Sequence, residues 1–116
     1  MKLKLIMAMV EVGRTDAVME AARAGGATGA TVITSVRGEG LKPEKTFLGL
    51  ELTGARDLLL FLVAAPRARE ILEAIAKAGC FDEEPGSGIA FQVEIEDAVG
   101  LKTQIPTIQH EIEEEL

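Results

Sequence analysis

The 116-residue chain has no tryptophan and no tyrosine, and its only aromatic side chains are four phenylalanines. That excludes an aromatic-rich platform for stacking nucleic-acid bases, and it excludes control by tyrosine modification. A single cysteine, Cys80, cannot close an internal disulfide, which points to a reducing, cytoplasmic setting. Basic residues are outnumbered, 12 against 19 acidic, for a formal charge of -7. A grip on nucleic-acid backbone needs net or clustered positive charge, so nucleic acid is not an expected partner. The longest apolar run, residues 58–66, is too short to cross a bilayer. Residues 1–7 alternate charge with apolar side chains and carry no small-residue cleavage site, so they read as a strand of a soluble protein, not as a secretory leader. The one histidine, His110, stands among glutamates; with no second histidine, no zinc or metalloprotease spacing assembles.

What is present is a core. Hydrophobic residues make up 47% of the chain, enough for one packed domain without metal or disulfide staples. Leu3, Leu5, Met7 and Met9 alternate with Lys2, Lys4, Ile6 and Ala8, a strand pattern. Residues 16–24 are alanine-rich and helical, with Thr15 a plausible N-cap and Gly25-Gly26 as the stop. Residues 30–37 are rich in β-branched side chains and read as a second strand. An excursion over residues 40–56 follows, containing Pro43, Gly49 and Gly54, in which Leu48, Leu50 and Leu52 alternate as an arm or hairpin. Residues 58–65 are continuously apolar, as expected for a central strand buried on both faces. Pro66 suits a first helical turn, and the helix over residues 67–78 carries Ala68, Ile71, Leu72 and Ile75 as its stripe, with Glu73 and Lys77 spaced to pair. Ile89, Phe91, Val93 and Ile95 alternate with polar residues as a half-buried strand, and residues 98–102 could add a short further one. The domain then spans residues 1–103, with an acidic tail over 104–116.

The order βαββαβ predicts an α+β, ferredoxin-like sandwich with both helices on one sheet face. Its other face needs a cover, and further copies of the chain are the simplest one. No catalytic set assembles, so an enzyme is not expected. Cys80 lacks a histidine partner and reads as a structural thiol; Asp82-Glu83-Glu84 reads as a solvated run. Glycine turns are the stronger signal: residues 25–29, 38–40 and 86–88. Such turns let backbone N–H groups approach a phosphate, although the first precedes a strand and so is no dinucleotide fingerprint.

The run Ala24-Gly25-Gly26-Ala27-Thr28-Gly29-Ala30-Thr31-Val32, followed by Gly38-Glu39-Gly40, resembles the PII signal-transduction proteins. In that family a G-x-T-G-x-T-V element enters a strand, and a G-x-G opens a long loop, the T-loop. The likeness extends to Ala64-Ala65-Pro66 and to Gly86-Ser87-Gly88 with Phe91, similar to the family's B-loop (here residues 80–88), and covers roughly residues 3 to 103. It implies a homotrimer of ferredoxin-like subunits that binds adenine nucleotides between subunits and controls a partner, such as a membrane transporter, through the T-loop. Carried over by position, Gly29, Thr31, Gly38, Gly40, Gly86, Ser87, Gly88 and Lys102 would line the cleft. Leu48, Leu50 and Leu52 would face the partner. The departures concern charge. Leu41 and Lys42 stand where the family has Arg-Gln, Leu62 where it has glutamate, Ile89 where it has the phosphate-binding lysine, and Gly100 where it has one of two arginines. Charge-assisted contacts contribute about 1.5–3 kcal/mol each, so Mg-ATP with 2-oxoglutarate is not the expected ligand. The chain reads as a divergent PII-like protein and not a classical nitrogen sensor. AMP, ADP or a cyclic nucleotide fits the remaining charge. The alternative is a ferredoxin-like ligand-binding or protein-interaction trimer that binds no nucleotide.

Overall fold

The computed structural model describes residues 2–36, 46–47, 50–51 and 55–100. The expectations for Gly38, Gly40, Leu48, Leu52, Lys102, His110 and the acidic tail lie outside these residues. Strand β1 (Leu3–Glu11) runs through a 3-10 turn (Val12–Arg14) into helix α1 (Thr15–Ala24), followed by strand β2 (Thr31–Val36). Two short strands, β3 (Thr46–Phe47) and β4 (Leu50–Glu51), pair with each other. Strand β5 (Arg56–Ala64), helix α2 (Ala65–Gly79) and strand β6 (Gly88–Glu94) complete the order. The four long strands form one antiparallel sheet in the order β2-β5-β1-β6, and β3-β4 is a separate ladder. Set that ladder aside and the arrangement is the ferredoxin-like βαββαβ fold.

The helices pack against each other and α2 lies over β1, β5 and β6. Side-chain alternation along the strands therefore sorts residues to a helix side and an open side. Ile6, Ala8 and Val10 of β1 meet Leu59, Phe61 and Val63 of β5, and Val18, Ala22, Ala68, Ile71 and Ile75 close over them from the helices. α1 stops where Gly26 takes φ 109, while the Gly25 N–H bonds to the Ala21 carbonyl at 3.0 Å. Pro66 falls in the first turn of α2, which begins two residues earlier than the helix expected over residues 67–78.

Several local expectations are corrected. Thr15 does not cap α1: the chain enters the helix from a 3-10 turn with Arg14 at the N-cap position, and the Thr15 hydroxyl reaches Asp57 of β5 instead. Glu73 pairs with Arg69, one turn earlier, at 3.0 Å rather than with Lys77. β5 is central, yet its residues alternate between buried and half-exposed, because helices cover only one face of the subunit. β6 ends at Glu94, and no strand forms over 95–100.

Candidate functional site

The glycine loop between α2 and β6 is built from backbone bonds. α2 closes at Cys80, which adopts the left-handed conformation at φ 55, and Phe81 N–H returns to the Ala76 carbonyl at 3.0 Å. Glu84 N–H bonds to Cys80 O (3.0 Å), Ser87 N–H to Glu84 O (3.2 Å), and Glu11 N–H to Ser87 O (3.1 Å), which fastens the loop to the end of β1. The Ser87 hydroxyl is buried and lies 2.9 Å from Cys80 O and 2.8 Å from Glu84 O. The hydroxyl, N–H and carbonyl of Ser87 are thus all engaged in holding the loop shut and fastening it to β1. Gly86 has φ 80, a conformation that side chains resist. At Gly88 a Cβ would fall 2.4 Å from Phe81 Cε1 and 2.7 Å from Met9 O, so only glycine fits.

Arg14 stands over this loop and was not singled out by sequence pattern, since an arginine at a helix start reads as solvated. Its Nε donates to Glu11 Oε2 at 3.3 Å, Nη1 to the Gly79 carbonyl at 3.2 Å, and Nη2 to Glu84. Partial desolvation works against the guanidinium charge, but the bond to Glu11 and the charge of Glu84 outweigh it and raise the pKa further above the ordinary arginine value. Arg14 is a permanent cation. Of the acidic run, Asp82 and Glu83 are exposed, and Glu84 is the one joined to it.

The second glycine segment lies at the opposite edge of the sheet. After Gly26, Ala27 N–H bonds to Ala22 O at 2.9 Å, and Arg67 Nη2 donates to Gly25 O at 2.7 Å. Thr28, Gly29 and Ala30 then run exposed into Thr31, the first residue of β2. A shallow groove of about 100 Å³ opens here between this segment, Met19 and Arg23 of α1, and Phe61. A Cβ at Gly29 would meet nothing within 4 Å. A larger groove of about 240 Å³ lies on the β6 side, floored by Leu72, Ala76, Phe81 and Ala90.

Thus Gly86, Ser87 and Gly88 come together in one loop, and Gly29 and Thr31 in another, but the two loops occupy opposite sheet edges. Three strand spacings separate the edges, about 14 Å. One subunit does not assemble the predicted cleft. Leu50 lies in β4, paired with Phe47. Cys80 is a free thiol, and among the described residues no three His, Cys, Asp or Glu converge as metal ligands.

The sheet face away from the helices carries a grid of apolar side chains. Met9 is opposite Leu58 and Ile89, Met7 opposite Leu60 and Phe91, and Leu5 opposite Leu62 and Val93. Ile33 extends the first row. Ile33, Phe91 and Val93 are 43%, 44% and 40% exposed in the single subunit. A contiguous apolar face of this kind marks an interaction surface.

A family model described as nitrogen regulatory protein P-II matches residues 3–105. The structure of a PII-like signaling protein from Thermus thermophilus is similar, with a TM-score of 0.59 at 21% identity, over 81% of this chain and 87% of that one. At that identity the likeness concerns the fold. No curated protein matches the chain.

Proposed function

Because the chain belongs to the nitrogen regulatory protein P-II family, a family of signalling proteins, we propose that it works as a homotrimeric cytoplasmic sensor with its effector site between subunits. The observation that carries this reading is the separation of the two glycine loops. A cleft lined by Gly29 and Thr31 on one side and Gly86, Ser87 and Gly88 on the other forms only when the β2 edge of one copy meets the β6 edge of another. The uncovered grid around Met7, Leu60 and Phe91 supplies the apolar surface that draws copies together. The effector is an adenine nucleotide of low charge (AMP, ADP or a cyclic nucleotide). The loop offers backbone N–H groups, but it carries three carboxylates and Ile89 follows it, a poor setting for a triphosphate. The segment over residues 40–56 contacts the controlled protein, for which a membrane transporter is the leading choice.

A second reading, a protein-interaction trimer that binds no nucleotide, is favoured by the same charge pattern. A thermal-shift screen separates the two, with AMP, ADP, ATP, cyclic nucleotides, 2-oxoglutarate and bicarbonate tested with and without Mg²⁺. Binding to the folded state raises the midpoint by mass action. The proposal expects the largest rise with AMP, ADP or a cyclic nucleotide, and none with 2-oxoglutarate. A flat response to every nucleotide supports the second reading.

A further inference from the structure

We infer that Arg14 is a positioning residue: it holds the loop over residues 80–88 in the form that receives an anion, without touching the ligand itself. The inference rests on the intersubunit-cleft reading and names the group that keeps one wall of that cleft in shape. Three elements meet at one guanidinium, namely the end of β1 through Glu11, the end of α2 through the Gly79 carbonyl, and the loop through Glu84. Arginine suits this place because its planar fork donates in several fixed directions at once, whereas a lysine ammonium is a point charge on a flexible stem.

The local bonds of the loop do not by themselves set where it sits. Glu84 N–H to Cys80 O, Ser87 N–H to Glu84 O and the Ser87 hydroxyl all close within residues 80–87. They shape the turn. The Glu11 N–H bond to Ser87 O fixes its far end, and Arg14 fixes its acidic middle. Arg14 also removes an obstacle. Asp82, Glu83 and Glu84 put three negative charges beside backbone N–H groups meant for an anion, and Glu11 adds a fourth close by. Shared between Glu11 and Glu84, the single positive charge of Arg14 offsets one of these four. The guanidinium stays charged at any working pH, so the cation of the latch is always present.

Part-exposed ion pairs add little to global stability, so losing this one should be felt locally. The experiment compares the full-length chain with Arg14→Ala and Arg14→Lys. It reads hydrogen exchange of the amides over residues 80–88, calorimetric affinity for AMP and ADP, and the melting midpoint. For Arg14→Ala the expected result is a midpoint close to the parent's, with exchange at Glu84 and Ser87 faster by about tenfold. Nucleotide affinity should be weaker by up to about tenfold, because the binding-competent form of the loop is then less populated. Arg14→Lys should fall between the two, a rescue that simple packing loss would not give. Unchanged loop exchange and unchanged affinity in Arg14→Ala overturn the inference, and so does a collapse of the whole fold in both variants. If the parent binds neither nucleotide, the cleft reading fails, and loop exchange alone decides: raised in Arg14→Ala the latch stands, unchanged it falls.

Discussion

Removing the Thr15 hydroxyl leaves the buried Asp57 carboxylate without the donor that lies 2.7 Å away. Thr15→Val keeps the shape of the side chain, so denaturant unfolding should report a loss of about 1–3 kcal/mol, the usual penalty for a buried polar group left short of a partner. A change under about 0.3 kcal/mol would mean the pair contributes nothing net. The glycines divide sharply by their surroundings. Gly88→Ala drives a methyl into Phe81 and the Met9 carbonyl and should cost about 1–3 kcal/mol as overpacking. Gly29→Ala points into open space, so it should melt with the parent while lowering the nucleotide-induced thermal shift. That separation, read in one melting series, tests whether Gly29 is there for a ligand. Glycine spacing was legible in the sequence because close approach leaves a residue type behind. Ser87 was legible as part of the loop but not as its lock. The Thr15–Asp57 bond and the Arg14 contacts to Gly79 and Glu84 were not legible, since their partners lie 42 to 70 positions away and nothing local announces them.

At the scale of elements, α2 is the clearest case of pattern becoming structure. Its stripe of Ala68, Ile71 and Ile75 is buried against the sheet, with Leu72 at the margin. Truncating Ile75, which is fully buried, should cost about 2–5 kcal/mol through lost burial and the cavity left behind; chemical denaturation checks it. The strands were legible as strands, because period-two alternation is strong in β1 and β6. Which side of each faces the helices was not. In β1 both alternating sets are largely apolar, and the helices take Ile6, Ala8 and Val10. β6 must then follow by register, placing Gly88, Ala90 and Gln92 on the helix side and its bulkier Ile89, Phe91 and Val93 on the open one. The fully apolar run of β5 has the same cause: its Leu58, Leu60 and Leu62 face the open side, so the sequence reads as doubly buried while a lone subunit covers only one face.

At the scale of the whole molecule, the exposed grid on the sheet makes assembly the central claim. Phe91→Arg places a charge in the middle row of it, on the edge strand β6 and opposite Met7. Its edge of the sheet is already open to water, so a single subunit should keep its fold, while sedimentation should find the variant as a monomer and the parent as a trimer. Loss of folding in Phe91→Arg would instead place Phe91 in the subunit's own core. The most direct measurement is native mass spectrometry of the full-length chain with AMP and with ADP, because one spectrum reads both assembly and occupancy. The account predicts a species of three times the chain mass carrying up to three nucleotides, and no nucleotide on residual single chains. A nucleotide held by the monomer, or a trimer that takes none, would contradict a cleft made from two sheet edges.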